Sequence, residues 1–389
     1  MAAVTPVYPW LTIAYCLASV MLLLVLLTGI IRQNSNLGVT LLCFWLFSEN
    51  LTAAVNTVVW ADNAEVKLYV WCDIVSHLRE IAFVVKPMAT LIITRRLFLI
   101  ATSLQSTDFA REAVNRRDIA IEWILGLVIP LLVAGPIYYL NQYARFEVDE
   151  RLGCTDATSF SVVELLTMES WTILPPLVSI IFYYPKVVRV FYRQVRDHSS
   201  TLYSHYSASE RTNYMRILLL ASVDILLTLP FGIVNITLNL VAALSPPAFF
   251  PLYLGWSLLH SDWDPVVYTY TDQQIIGSAK LAQYYFTSWT SPVLAFAIFG
   301  LLGLTREARA SYRSVISAVC GRLGWKRALW ARTTGHSSLG DIEFGMRPTS
   351  TSMFDVETGT RHPSVLISTA AANRGFIICT ASDSNPTSR

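Results

Sequence analysis

The chain has 389 residues, of which 53% are hydrophobic and only 14% are charged. Soluble domains usually carry about a quarter charged residues, so this composition and the mean hydropathy of +0.46 exclude an ordinary soluble protein. The formal net charge of +2 gives no reason to expect nucleic acid as a partner. The six cysteines show neither CxxC nor zinc-ligand spacing, so a metal framework is not expected. No cofactor is expected either.

Seven segments are long and apolar enough to be membrane spans, since about 20 such residues in a helix cross the hydrocarbon core. They run at roughly 8–31, 37–60, 70–99, 119–141, 162–185, 214–243 and 281–304. The first is interpreted as a span because its apolar part is too long for a secretory signal and no basic segment precedes it. The apolar segment 250–261 is short and leads into HSDWDP, which favours a loop, although an eight-span count that includes it stays open.

Lysine and arginine are concentrated in alternate loops, and this bias sets the orientation of multi-pass proteins. The basic residues after the third and fifth spans are Arg95, Arg96, Arg111, Arg116, Arg117, Lys186, Arg189, Arg193, Arg196, Arg211 and Arg216. The loop 61–69 has only Lys67, and in 142–161 two arginines are balanced by four acidic residues. The bias predicts an outside N-terminus and a cytoplasmic C-terminus. It also accounts for these arginines without any partner.

The third span, CDIVSHLREIAFVVKPMATLIITRR at 72–96, contains more ionisable residues than a helix surrounded by lipid tolerates. Asp73, His77 and Glu80 share one helical stripe, whereas Arg79 and Lys86 share another. Each charge that faces lipid near the centre would cost about 2.5–3.5 kcal/mol, so four would cost on the order of 10 kcal/mol. We therefore expect this helix in the middle of the bundle, with polar neighbours or water on two sides.

Polar side chains on two other spans are candidate partners for these charges. Glu49 and Asn56 share one face of the second span, and Asp224, Thr228 and Asn235 share one face of the sixth. The third-span lysine can pair with either acid. Two compatible interpretations stay open: buried ion pairs that fix helix register, and a polar cavity with an exchangeable charged pair nearer the cytoplasm.

Prolines and cysteines constrain the predicted bundle further. Prolines at positions 87, 130, 175, 176, 230 and 292 are expected to interrupt five spans, because proline frees carbonyls and kinks a helix. Cys72 and Cys154 both fall on the predicted outer side, in an oxidising compartment, so a disulfide between them is feasible.

Three domains are expected: the membrane domain 1–304, a juxtamembrane segment 305–330 and a tail 331–389. In TREARASYRSVISAVCGRL the arginines fall on one side of a helix and apolar residues on the other, which suits a helix on an anionic leaflet. Cys320 at its end is either a palmitoylation site or a free thiol. The tail is rich in Ser, Thr and Gly and is predicted to be disordered.

Five stretches of local sequence are more specific than this outline. They are YVWCDI at 69–74, LIITRRLF at 91–98, RFEVDERLGC at 145–154, LGWSLLHSDW at 254–263 and WTSPVLAFAIFG at 289–300. They closely resemble the fungal pheromone receptors of the yeast a-factor type, class D G-protein-coupled receptors that include the basidiomycete mating-type receptors. The similarity covers about residues 8–315. It implies an all-α bundle of seven transmembrane helices in the plasma membrane that binds a farnesylated peptide pheromone.

The resemblance and the charge pattern together predict functional residues. Ligand contacts are expected from Glu49, Asn56, Asp73, His77, Glu80, Arg145, Trp256, His260 and Trp289. Contacts to the Gα subunit of a heterotrimeric G protein, upstream of a MAP kinase cascade, are expected from Arg95, Arg96, Arg193, Arg196 and Arg216. Membrane lipid is a further expected partner, and a homo-oligomer is a candidate assembly.

Two other classes of protein would explain parts of this pattern. A transporter or channel would explain charges inside the bundle, but no internal repeat is visible, which weakens a protein built from paired halves. A membrane enzyme is suggested by His77 and Glu80, one turn apart, but a metal hydrolase needs further ligands at the same depth. The other histidine of the membrane region, His260, lies near the outer surface, so no catalytic residue is assigned.

Overall fold

The computed structural model describes residues 7–32, 36–103, 111–196, 208–244, 250–276, 278–305 and 308–312. The expectations for the juxtamembrane segment beyond residue 312, for Cys320 and for the tail 331–389 lie outside these residues. Within the described part, each of the seven expected spans corresponds to a helix or to a run of consecutive helical pieces.

Four spans are continuous helices: Val7–Arg32, Leu37–Val59, Tyr69–Ser103 and Ala208–Leu244. The fourth span consists of Arg111–Trp123, the π-helical turn Ile124–Val128, Ile129–Leu132, the π-helical turn Val133–Ile137 and Tyr138–Asn141. The fifth consists of Val162–Thr167, the 3-10 turn Glu169–Thr172, Leu174–Val178, the π-helical turn Ser179–Tyr183 and Tyr184–Arg196. The seventh is Ser278–Ile298, continued by the π-helical turn Phe299–Gly303, and the short helices Trp256–Leu259 and Tyr270–Ile276 precede it.

The third span lies in the middle of the bundle, as its charges led us to expect. Among the described residues, the first, second, fourth, sixth and seventh spans are long and apolar enough to cross a membrane. The fifth span also qualifies if its two helical halves, which are bent by 46°, are counted as one span. The third span is too charged for that set, yet it packs against the second, fourth, fifth and sixth spans. Ala82, Val84 and Ala89 along it are completely buried. The expected central position is therefore confirmed.

Proline breaks only some of the spans. The fourth and fifth spans change helix type around Pro130, Pro175 and Pro176. By contrast, Pro87, Pro230 and Pro292 lie inside continuous helices. The expectation that proline interrupts five spans is therefore wrong for these three, because the neighbouring helices hold the backbone on both sides of the missing hydrogen bond.

A small sheet covers one end of the bundle, which we call the sheet end. Strands β1 (Glu147–Asp149), β2 (Gly153–Thr155) and β3 (Val266–Tyr268) are arranged in the order β2-β1-β3. β1 and β2 form an antiparallel hairpin, whereas β3 joins β1 in parallel from the loop before the seventh span. These strands are not predicted from the sequence, because three residues are too few to show an alternating pattern.

The disulfide between Cys72 and Cys154 ties the hairpin to the start of the third span, with 5.2 Å between the two Cα atoms. The bridge lies in a core with Trp60, Phe146 and Val148, all of them completely buried. Burial of each such large side chain contributes about 1.5–3 kcal/mol. The hairpin is therefore a fixed cover.

A second and larger core holds the opposite half of the bundle together. Leu46 of the second span, Val85 and Ile93 of the third, Leu220 of the sixth and Leu294 of the seventh are buried together. Between membrane helices such close packing replaces the hydrophobic effect as the source of association.

Candidate functional site

A cavity of about 600 Å³ lies between the sheet and the middle of the bundle. Its walls come from the hairpin loop and from the first, second, third, fifth, sixth and seventh spans. The charged side chains that line it are Glu49, Arg79, Glu80, Lys86, Glu147, Asp156, Glu164 and Glu169. Ligand cavities usually measure about 300–1,000 Å³, so this volume suits a binding site.

Lys86 and Glu49 form an ion pair deep in the cavity. The Nζ atom of Lys86 lies 3.1 and 3.2 Å from the two carboxylate oxygens and donates to Ser291 Oγ at 3.3 Å. Lys86 follows Cys72 by 14 residues of one helix, about 21 Å, which is near the middle of a membrane. The side chains are 15% and 18% exposed. The pair therefore links the second, third and seventh spans at mid-membrane depth.

Asp224 of the sixth span is a second acid that acts on the same lysine. Its side chain is buried, and neither carboxylate oxygen has a hydrogen-bond partner within the described part of the chain. Its electrostatic partner is Lys86. Of the two pairings left open by the sequence, the structure therefore forms the one with Glu49 and leaves Asp224 as an alternative acceptor.

Carboxylates from three parts of the chain interact on the wall nearer to the sheet. They are Glu80, Asp156, Glu164 and Glu169. Arg79 Nε lies 3.5 Å from Asp156 Oδ1. Asn235 Nδ2 donates to Glu169 Oε1 at 3.1 Å, which ties the sixth span to the fifth. This part of the cavity is therefore predominantly acidic.

The structure divides the nine expected ligand contacts into two groups. Glu49, Asn56 and Glu80 line the cavity. The six that do not line it are Asp73, His77, Arg145, Trp256, His260 and Trp289.

The expectation that the stripe of Asp73, His77 and Glu80 faces one cavity is wrong. The cavity face of the third span carries Arg79 and Lys86, the stripe that the sequence analysis set apart, with Glu80 at its edge. Asp73 and His77 lie further round the helix and line a shallow groove on the second and third spans. Because the rotation of a helix is set by its neighbours, the stripe alone did not show which face is inward.

Arg145 is engaged by Asp73 instead of lining the cavity. Its Nε and Nη2 atoms donate to the two carboxylate oxygens at 2.8 and 2.6 Å. The guanidinium also lies over the ring of Tyr69, 5.6 Å from its centroid. This residue therefore holds the loop onto the start of the third span.

Trp256 and His260 belong to a cluster of stacked rings outside the cavity. The His260 ring is stacked on Trp256 at 3.9 Å and on Trp263 at 5.0 Å between centroids. Tyr139, near the end of the fourth span, meets the His260 ring edge-on at 4.9 Å. The short helix after Gly255 turns these rings toward the fourth span and away from the cavity.

Trp289 is also displaced from the expected position. It packs against Leu11, Tyr15 and Ala54. Tyr15 lines the cavity in its place, and its hydroxyl donates to the carbonyl oxygen of Ser288 at 2.9 Å. The first span therefore contributes to the site through a residue that the sequence analysis did not select.

Asn56 connects the cavity wall to the disulfide. Its Nδ2 donates to the carbonyl oxygen of Cys154 at 3.1 Å, and its Oδ1 accepts from Trp71 Nε1 at 2.8 Å. Nearby in β1, Asp149 is buried, and Gln273 Nε2 lies 3.4 Å from its Oδ1. Burial raises the pKa of Asp149 to about 6.

At the end opposite the sheet, two of the expected coupling residues are paired with the fourth span. Arg95 forms an ion pair with Asp118, and Arg96 Nη1 lies 3.3 Å from Glu122 Oε2. These pairs hold the fourth span against the third. Of the other three expected coupling residues, Arg216 has a partly exposed side chain. The side chains of Arg193 and Arg196 are outside the part of the chain that the structure describes.

Four further charged residues line the cavity and were not among the expected ligand contacts: Arg79, Asp156, Glu164 and Glu169. A signal existed for Glu164 and Glu169, since two acids in an otherwise apolar span are by default a functional-site hypothesis. No comparable signal existed for Asp156, which the disulfide brings over the cavity two residues after Cys154.

Within the described residues, the fold and the site define a helical multi-pass membrane protein with a charged ligand cavity below a disulfide-held cover. The sequence model of the pheromone A receptor family matches residues 11–323. The chain therefore belongs to the pheromone A receptor family, whose members are signalling receptors and not enzymes. This confirms the family resemblance and the seven-helix architecture that it implies.

Relatives of known name support the same assignment. The chain is 26% identical to "Pheromone receptor 1" of Ustilago hordei over 284 residues, 73% of this chain and 77% of the relative. It is 28% identical to "Pheromone B alpha 1 receptor" of Schizophyllum commune over 292 residues, 75% of this chain and 44% of the relative. It is 22% identical to "Pheromone a factor receptor" of Saccharomyces cerevisiae over 305 residues, 77% of this chain and 60% of the relative.

Proposed function

We propose that this receptor binds a short, C-terminally farnesylated peptide pheromone and activates a heterotrimeric G protein and a MAP kinase cascade. The observation that carries the proposal is the polar cavity between the disulfide-held hairpin and the Lys86–Glu49 pair. A transporter would need a path that continues past this pair, whereas leucine, valine and isoleucine side chains are packed beyond it.

The proposed location is the plasma membrane, with the N-terminus and the sheet end outside and the C-terminus in the cytoplasm. The excess of arginine in the loops after the third and fifth spans supports this orientation. The Cys72–Cys154 bridge supports it independently, because disulfides persist in oxidising compartments. Surrounding lipid and a homo-oligomer are further parts of the proposal.

The peptide and its prenyl group would occupy two different places. The peptide portion would enter the polar cavity at the sheet end. The farnesyl chain needs an apolar surface, and the groove of Trp45, Ile74, Leu78 and Ile81 on the second and third spans offers one. A chain in this groove would be reached from the surrounding lipid and would gain about 0.8 kcal/mol for each buried CH₂ group.

The third span would transmit binding to the G protein. Lys86 in the cavity and Arg95 at the basic end are nine residues apart in one helix, about 13.5 Å. A ligand that binds the active arrangement more tightly would release the Arg95–Asp118 and Arg96–Glu122 pairs and expose both arginines to the Gα subunit. A coupling free energy of about 1–3 kcal/mol, or 5–150-fold in affinity, is sufficient.

The proposal is tested by reconstitution of the purified receptor with a heterotrimeric G protein in lipid nanodiscs. Nucleotide exchange on Gα is measured with a panel of synthetic peptides, each with a farnesylated C-terminal cysteine. The matched control for each peptide is the same sequence without the farnesyl group. We expect at least one lipopeptide to accelerate exchange and its control to be at least tenfold weaker. If no lipopeptide acts on receptor that a thermal-stability assay shows to be folded, the proposed function is wrong.

A further inference from the structure

The charge of the cavity indicates which peptides it accepts. Among the described residues, six acidic and two basic side chains line it. Both bases are engaged: Lys86 with Glu49 at 3.1 Å, and Arg79 with Asp156 at 3.5 Å. The excess of negative charge is therefore on the wall formed by the third and fifth spans.

Glu164 is the most informative of these acids. Its side chain is only 5% exposed, and its Oε2 has no hydrogen-bond partner within the described residues, although the residue lines the cavity. A purely structural role was available, because Ser161 and Glu164 have the spacing of a helix capping box. Ser161 Oγ does accept from the backbone N–H of Glu164 at 3.2 Å. The reciprocal hydrogen bond, from the backbone N–H of Ser161 to the Glu164 side chain, is not formed among the described residues, and Glu164 Oε2 has no donor there.

Glu80 faces the same region from the third span. It is 6% exposed and lines the cavity. Asp156, Glu169 and Glu164 act on it electrostatically, and so does Arg79, whose guanidinium is itself paired with Asp156. Within the described part of the chain no lysine or arginine forms an ion pair with Glu80 or Glu164. Buried carboxylates that are not directly paired with a cation carry a large desolvation cost, which a guest cation offsets.

The geometry of this region suits an organic cation better than a metal ion. Among the described residues, no group of three or more His, Cys, Asp or Glu side chains is arranged to hold a metal. An ammonium or guanidinium ion needs only two carboxylates and is also stabilised by aromatic faces. Phe83 and Phe160 line the same cavity.

We propose that Glu80 and Glu164 form a subsite for a cationic group of the peptide ligand, either its free N-terminal ammonium or a Lys or Arg side chain. This inference rests on the proposed function and adds the charge class of the peptide. A charge-assisted hydrogen bond at such a subsite changes affinity by about 10–100-fold.

The test uses the farnesylated peptide that is active in the exchange assay, together with two derivatives. One derivative is N-acetylated, and the other has each Lys or Arg replaced by Gln. On the wild-type receptor we expect one derivative to be about 10–100-fold weaker in EC50. The derivative that loses potency identifies which group occupies the subsite.

Receptor variants then locate the effect. In Glu164→Gln and Glu80→Gln the charged peptide should lose potency while the neutral derivative keeps its own, so that the wild-type preference shrinks. The matched control is Glu65→Gln, the same chemical change at a loop residue that is 78% exposed and does not line the cavity. This control should keep the full preference.

Equal potency of all three peptides on the wild-type receptor would overturn the subsite. So would an active peptide that has neither a free amine nor a basic residue. The third refuting result is an equal loss of potency for charged and neutral peptides on Glu164→Gln. The wild-type comparison needs no variant to fold. Failure of every lipopeptide would instead refute the proposed function, so the two failures are distinguishable.

Discussion

Replacement of Gly153 by alanine should destabilise the receptor more than replacement of Gly255, although both glycines have a positive φ. Gly153, next to the disulfide, has φ +82°, and Gly255 in the loop before the seventh span has φ +91°. A Cβ atom on Gly153 would lie 2.6 Å from Asn56 Cβ and 3.0 Å from Trp60 Cε3, whereas a Cβ atom on Gly255 would meet nothing within 4 Å. The comparison therefore separates backbone strain from overpacking.

The magnitudes follow from these two effects. A residue other than glycine in a sparsely populated backbone region costs about 1–3 kcal/mol, and this applies to both positions. At Gly153 the colliding Asn56 Cβ is fixed to a helix backbone and cannot move aside, so overpacking adds about 1–3 kcal/mol. We expect Gly153→Ala to lower the free energy of unfolding by about 2–6 kcal/mol and Gly255→Ala by about 1–3 kcal/mol.

The assay is thermal inactivation of detergent-solubilised receptor, followed by size-exclusion chromatography. Gly135→Ala is the control, because this glycine lies in a helical turn and a Cβ atom there meets nothing within 4 Å. The expected order of stability is Gly135→Ala, then Gly255→Ala, then Gly153→Ala. Equal losses for Gly153→Ala and Gly255→Ala would show that the hairpin does not pack on the second span as described.

Three further predictions concern the ion pair, a buried acid and the disulfide. Lys86→Met should cost about 3–5 kcal/mol of stability and raise basal nucleotide exchange, because Glu49 and Asp224 then both lose their cation. The swapped pair Lys86→Glu with Glu49→Lys should recover both only in part, since it places a carboxylate near Asp224. Unchanged basal exchange in Lys86→Met would contradict this. Because burial raises the pKa of Asp149 to about 6, the folded state keeps a proton that the unfolded chain has lost above pH 4. The free energy of unfolding should therefore fall by about 2 kcal/mol from pH 4 to 6, and by about 3 kcal/mol over the wider range from below pH 3 to above pH 7. A thermal melt of Asp149→Asn should lack this slope. Cys72→Ser and Cys154→Ser should each lower the free energy of unfolding by about 2–5 kcal/mol and should bind pheromone equally poorly. Detection of free thiols at both positions in native protein would show that the disulfide does not form.

The central position of the third span in the bundle could be predicted from the sequence. The free-energy cost of exposing a charged side chain to lipid is high whichever residue it would otherwise pair with. Asp73, Arg79, Glu80 and Lys86 in one apolar helix require polar surroundings in any bundle. Seven spans follow from length and hydropathy in the same way. Whether 250–261 is an eighth stayed open, and the structure has only the short helix Trp256–Leu259 there. Glu49 is a candidate partner because acids in membrane spans are rare.

The inward face of that helix could not be predicted, because periodicity gives stripes but not their direction. Asp73 and His77 share a stripe with Glu80, yet Arg145 engages Asp73 outside the cavity. Trp289 was selected from a local motif, and the packing of the first span placed Tyr15 on the cavity in its place.

The sequence by itself determined that this chain is a bundle of membrane helices with a charged centre, since composition and spacing act locally along each helix. The tertiary structure alone decided which charges meet. Glu164 of the fifth span and Glu80 of the third are 84 residues apart in the chain. No pattern in the sequence indicates that the two residues are close in space. They face one cavity because the disulfide, the hairpin and the bend of the fifth span fix the rotation and depth of the helices that carry them.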